Sequence, residues 1–286
     1  MAPSSRGRDG LRVQQGPTWL YRYGRHRTFL GLWSIPVVLF LVLPVATLLG
    51  QSLIWDFRLA DTAAEQVRRA LLLSLQTSAA ATLLTVGLGT PLAFLLAKRL
   101  LPTWIARGVT VLVELPLILP PVVAGVALLL VFGRLGWLGR WLYTAGIPIA
   151  FTPAAVVLAQ LFVASPFFIR SAVVGLENID SEIENAGALD GASFGQMLRH
   201  ITLPLARDAL LTGGIMTWAR ALGEFGATLI FAGNFPGRTQ TMPMVIYLGF
   251  DIDMAISLSL AGILLLVALV VLTLVRLVQY RWLRIM

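Results

Sequence analysis

The sequence has no cysteine, one lysine and two histidines, and charged residues make up only 13% of its 286 positions. Without cysteine there is no disulfide framework, no thiol nucleophile and no thiolate metal site. His26 and His200 lie outside the apolar runs, and no aspartate lies well inside one. A nucleophile within a membrane would therefore have no histidine base, and an aspartyl dyad has no members. The lone lysine, Lys98, is followed by Arg99, so the G-x4-G-K-[ST] phosphate cradle is missing. This chain hydrolyses no ATP itself and holds no cofactor of its own.

What is abundant is apolar. Hydrophobic residues make up 57% of the chain and the mean hydropathy is +0.82, whereas a soluble domain carries about 25% charged residues. The polar surface is too small for water, and the chain reads as an all-α integral membrane protein. A net charge of +8 and a pI of 10.9 raise the question of nucleic acid. In a membrane protein, basic residues accumulate in cytoplasmic segments, so the lipid bilayer is the expected partner and nucleic acid is not.

A spanning helix needs about 20 predominantly apolar residues. Six segments satisfy this, at about 29–50, 70–97, 108–133, 153–175, 208–233 and 254–275. Residues 1–28 form a basic tail, and 29–286 form the transmembrane domain. The first apolar run is too long for a signal-peptide core and reads as a signal-anchor helix. With the N-terminus inside, fourteen of the 22 basic residues fall in cytoplasmic segments. Six fall opposite: Arg58, Arg68, Arg69, Arg134, Arg140 and Arg238. The excess predicts that both termini are cytoplasmic.

One connection, 176–207, is long for a helical bundle, and loops of that length are usually functional or disordered. This one is not low-complexity. Ile179, Ile183 and Ala186 share a helical face, Gly191 interrupts it, and Pro204 stops the segment beyond the glycine. Glu177, Asp180, Glu182, Glu184 and Asp190 are among its residues. Helices that lie on a bilayer favour Lys and Arg on the polar face, so the apolar stripe on this acid-rich loop predicts a protein-docking surface instead.

Here a resemblance begins. "NAGALDGASFGQMLRHITLP" is similar to the cytoplasmic signature E-A-A-x3-G-x9-I-x-L-P of permease subunits of binding-protein-dependent ABC importers. Gly191, Ile201, Leu203 and Pro204 keep the spacing. The E-A-A positions fall on Asn185, Ala186 and Gly187, two of which depart from the pattern, while Glu184 supplies a carboxylate one residue earlier. "ARALGEFGATLIFAGNFPGRTQTMPMVIY" resembles the fifth helix and following loop of molybdate permease subunits, and "ELPLILPPVVAGVALLL" resembles their third helix. Sulfate, thiosulfate and tungstate permeases share these frames. The resemblance covers residues 70 to 280.

It implies a type I ABC importer permease fold and a homodimer forming one pathway. Two cytoplasmic ATP-binding subunits, which bind the ATP and Mg, would dock at the 176–207 loop. An extracytoplasmic protein would deliver a tetrahedral oxyanion, with molybdate favoured over sulfate, thiosulfate or tungstate. An ion-coupled secondary transporter is the competing class; such folds often show internal repeats, and none is visible here.

Arg220 and Glu224 stand four residues apart in an apolar run, on one helical face, and Thr217 and Thr228 extend a polar stripe. An unpaired charge at mid-membrane costs about 2.5 to 3.5 kcal/mol, so neither is expected to face lipid. Two readings stay open: a buried ion pair that fixes packing, or a lining of the anion pathway. Ser74, Ser78, Thr82 and Thr85 on the second span suit close helix packing. Pro116, Pro120 and Pro121 predict a bend in the third span. Glu114 is expected to reach the interface by its side chain, and Arg170 to snorkel from near the inner end of the fourth span.

Overall fold

A computed structural model describes residues Gly24–Ile54 and Asp61–Leu283. Residues 1–23 of the basic tail, Arg58 and Arg284 lie outside them. Two units are distinguished. The first ends at Gln51 and holds all but the last three residues of α1 (Gly24–Ile54), with Pro36 and Pro44 inside the helix. Its segment Phe29–Gln51 is long and apolar enough to cross a membrane.

The second unit begins with α2 (Asp61–Ala97), α3 (Thr103–Ile118), α4 (Pro121–Phe132), α5 (Gly139–Thr144) and α6 (Pro153–Glu177). It continues through α7 (Ser181–Leu189), α8 (Phe194–Met197) and a π-helical turn at Leu198–Thr202. The remaining helices are α9 (Leu203–Leu222), α10 (Gly226–Ala232), α11 (Met242–Ile252) and α12 (Met254–Leu283). The described residues are helical or in turns and contain no strand. Four helices among them pass as spans by length and composition, or five if α3 and α4 count together. At 20 residues, α9 is about 30 Å long, but it carries Arg207, Asp208 and Arg220.

The centre of the unit is α6, packed against α2 and α9. Small residues allow the approach. A Cβ on Gly175 would come 2.2 Å from the Ala209 methyl, and one on Gly213 would come 2.8 Å from Ser171 Cβ. Ser171 and Gly175 on one helix thus face Ala209 and Gly213 on the other, a small-x3-small pair of the kind that brings helices together in lipid. The Ser171 hydroxyl donates to the Ala209 carbonyl at 2.7 Å across the same contact. On α2, Ser74, Ser78 and Thr85 are buried. The Ser78 and Thr85 hydroxyls bond back to their own helix, whereas Ser74 Oγ accepts the Met242 N–H at 2.8 Å and so ties α2 to α11.

The bend expected in the third span is present as a break between two helices, and two other features depart from expectation. Pro116 is accommodated inside α3, and the chain turns by 120° at Pro120–Pro121, where α4 starts. A proline at the first position of a helix loses no hydrogen bond, so the break falls there. The fifth segment is also two helices, α9 and α10, separated at Gly223–Phe225. The half-helices α4 and α10 pack together with glycine on both sides: a Cβ on Gly125 would strike the Ala227 carbonyl at 2.8 Å, and one on Gly226 would strike Pro121 Cβ at 2.9 Å. Finally, α11 lies where a loop was expected. It is apolar but, at 11 residues, too short to span.

Candidate functional site

The connection after α6 is built as a folded element. Asp180 caps α7 by accepting the Glu182 N–H at 2.9 Å. Gly191 ends it with φ of +81°. Its N–H reaches the Ala188 carbonyl, and the Ala192 N–H reaches Gly187, both at 3.1 Å. That is the left-handed cap that glycine favours for want of a Cβ. The chain reverses there and α8 starts on Ser193, whose hydroxyl and Gln196 form a reciprocal cap. Pro204 sits in the first turn of α9.

Exposure sorts the signature residues into two faces. Asn185 and Ala186 point outward, with Leu189 at 88% and Phe194 at 67% exposure. Gly187 lies against the bundle side, where a Cβ would come 2.6 Å from Ile201 Cδ1. Ile201 and Leu203 are half-buried beneath the loop. An outward apolar surface on two short helices, backed by a close-packed inner face, suits the docking of a protein.

Glu184 is the joint between this loop and the bundle. One carboxylate oxygen is 2.7 Å from Lys98 Nζ, just past the end of α2, and both side chains are about one-fifth exposed. The other oxygen accepts the Thr202 hydroxyl at 3.1 Å, just before α9. Lys98 also donates to the Leu176 carbonyl at 3.2 Å, near the end of α6. Sequence reasoning missed Lys98 and Thr202. The only lysine at the end of an apolar run was a signal, but no spacing rule links it to a carboxylate 86 residues on.

The second constellation lies at the break in α9–α10. Arg220 Nη1 is 2.7 Å from Glu224 Oε2; the Glu224 side chain is 1% exposed and that of Arg220 is 30%. The other Glu224 oxygen accepts the Ala227 N–H at 2.9 Å. A carboxylate that takes one bond from a guanidinium and one from the first turn of the next helix holds the two helices in register. Thr217 is buried and donates to the Ala164 carbonyl on α6 at 3.3 Å. Thr228 is buried on α10, where its hydroxyl has no hydrogen-bond partner among the described residues. The four residues therefore do not form a stripe along one helix: Thr217 faces α6, and Thr228 belongs to a separate helix. Of the four, Arg220 retains substantial access.

Arg170 and Glu114 depart from expectation as well. Arg170 Nε lies 3.6 Å from Glu114 Oε1 on α3, so the two side chains face each other. Among the described residues no group of three or more metal-ligating side chains gathers.

Comparison with known proteins points one way. Residues 89–284 match the family model described as binding-protein-dependent transport system inner membrane component. The chain is 41% identical over 246 residues to the molybdenum transport system permease protein ModB of Mycobacterium tuberculosis, covering 85% of this chain and 88% of that one. It is 32% identical over 222 residues to the sulfate transport system permease protein CysW of Synechococcus elongatus, covering 76% of each. A similar fold occurs in the crystal structure of a bacterial ABC transporter involved in alginate import, with a TM-score of 0.69 at 16% identity, over 92% of this chain and 99% of that one.

Proposed function

The chain belongs to the family of inner membrane components of binding-protein-dependent transport systems, and we propose that it forms the membrane pathway of an ATP-driven molybdate importer. It is a multi-pass membrane subunit, and the ATP that drives transport is hydrolysed by a separate subunit. The observation that carries the cargo assignment is the 41% identity to ModB over 85% of the chain. The 32% identity to CysW supports sulfate as the second reading, since both anions are tetrahedral and doubly charged.

In this reading two copies of the chain enclose one pathway, and an ATPase seats on the outward face of α7 and α8. An extracytoplasmic protein hands the oxyanion over from the opposite side. Both termini are cytoplasmic, and α9 with α10 makes the fifth of six crossings. Coupling runs through side chains rather than through a flexible loop. A displacement of α7 pulls Glu184, which is bonded to Lys98 beyond α2 and to Thr202 before α9. The helix α9 is continuous to Leu222, where Arg220 and Glu224 pass the motion to α10, and α10 rests on α4. The net-neutral Arg220–Glu224 pair leaves the partly accessible guanidinium near the pathway without a free positive charge. An anion is steered but not trapped, as a carrier that must release its cargo requires.

Cargo is tested by competition. In proteoliposomes holding this chain with its ATPase and binding protein, excess sulfate should leave molybdate uptake largely intact, and excess tungstate should suppress it. Suppression by equimolar sulfate would favour the second reading.

A further inference from the structure

Three charged side chains stand on one accessible face of the helices that would otherwise meet lipid. Arg170 on α6 has a side chain 62% exposed; Glu114, its partner at 3.6 Å on α3, is 39% exposed. Asp208 on α9 is 67% exposed, with Arg207 near it at 3.7 Å. Arg170, Asp208, Thr212 and Asn178 share a cavity of about 620 Å³ between α6 and α9, with Leu117 of α3 at its edge. Arg170 is seven residues from the end of α6 and Asp208 five from the start of α9, which places both about 8–10 Å along their helices from the 176–207 loop.

Lipid is a poor neighbour for this face. Charged side chains inside a membrane seldom face hydrocarbon and turn instead toward the bundle interior or a water-filled cavity. An arginine near a helix end escapes by reaching for the interface, but Arg170 is turned toward a carboxylate on the neighbouring helix. Its contact is long and its guanidinium mostly open, so donors remain free. With Glu114 beside Arg170 and Arg207 beside Asp208, the two ion pairs sum to no net charge, and no anion would be held there tightly.

We infer that this face borders water in the assembled transporter and that Arg170 is the cation which an oxyanion meets on its way out. Glu114 positions Arg170, and Glu114 with Asp208 limits its hold. The inference rests on the reading of the chain as a pathway-forming permease.

The absence of cysteine makes the test direct. Thr212→Cys is introduced into the full-length chain, the transporter is purified and placed in lipid nanodiscs, and its reaction rates with anionic and cationic methanethiosulfonates are compared. Both reagents should react, and Arg170→Gln should lower the anionic-to-cationic rate ratio. For a unit charge about 8 Å from the sulfur in a water-like medium, the change is about fivefold. Arg170→Lys should restore the ratio, and Glu114→Gln, which keeps the arginine, should raise it. The opposite signs of the two glutamine variants keep the test decisive if one of them folds poorly. No labelling by either reagent, or a ratio unmoved by both variants, would overturn the inference. These rates need neither molybdate nor ATP, so a wrong cargo assignment would leave them intact. In the uptake assay, Arg170→Gln should slow transport severalfold and Arg170→Lys should preserve most of it; equal loss in both would remove the anion-contact role.

Discussion

Glu184 and Lys98 meet at 2.7 Å between the docking loop and the end of α2, while the second Glu184 oxygen takes the Thr202 hydroxyl ahead of α9. One carboxylate thus joins the proposed ATPase seat to two long helices. Glu184→Gln should keep the Thr202 bond and lose the ion pair; Glu184→Ala should lose both. We expect ATPase association within about twofold of wild type for each, with transport falling further in the alanine variant. A double-mutant cycle with Lys98→Met should give a coupling of about 1–3 kcal/mol, between the values for exposed and fully buried pairs. Lost association in Glu184→Ala would make the residue part of the seat and not of the joint.

Gly191 and Gly187 fail for different reasons when changed. Gly191 has a positive φ but open space around its Cβ position, so Gly191→Val should cost about 1–2 kcal/mol through the backbone, and Gly191→Asn less, because asparagine tolerates that conformation. Gly187→Val meets Ile201 instead, and Ile201→Ala should relieve it. Pull-down of the ATPase by each variant checks both; a Gly191→Val chain that associates and transports normally would assign the loop another role.

Arg220 and Glu224 should prove unequal partners. Glu224 is buried and also caps α10, so Glu224→Leu leaves an unsatisfied N–H and an unpaired arginine, at about 3–5 kcal/mol. Arg220→Leu leaves a buried carboxylate with one bond. Glu224→Gln keeps the Ala227 bond and should be the mildest. In the Arg220→Leu, Glu224→Leu double variant, folded protein should recover relative to either single variant while anion uptake stays low. Recovery of both would reduce the pair to packing, and a double variant no more abundant than the singles would refute the pairing.

Topology is open to labelling because no native thiol competes. Gly195 and Pro236 are both exposed and suit a single introduced cysteine. A cysteine at 195 should resist an impermeant reagent in intact cells, and one at 236 should react. Reaction at 195 from outside would reverse the orientation.

Much of this architecture is written in local pattern. Apolar runs mark α2, α6 and α12 because lipid demands length and composition. The Gly191 reversal is legible because only a residue without a Cβ takes that turn comfortably, and the Arg220–Glu224 pairing because the two stand four residues apart, although Glu224 lies two residues beyond the end of α9. What escaped was set by distant contacts. Nothing near residue 223 resembles a proline break; the helix stops where Glu224 finds the Ala227 N–H and where Gly226 fits against Pro121. In the third span the prolines were visible, but which of the three turns the chain depends on where a missing N–H costs nothing. The partners Arg170 and Glu114, and Lys98 and Glu184, belong to different parts of the chain, and no periodicity connects them.

A pathway subunit worked by a separate ATPase moves its cargo only when that ATPase turns over ATP. The most direct measurement is molybdate uptake into proteoliposomes containing the chain, its ATPase and its binding protein, with ATP on the ATPase side or with a proton or sodium gradient alone. Uptake should require ATP, the ATPase and the binding protein together, with no response to a gradient by itself. Uptake driven by a gradient in the absence of ATP would contradict this requirement.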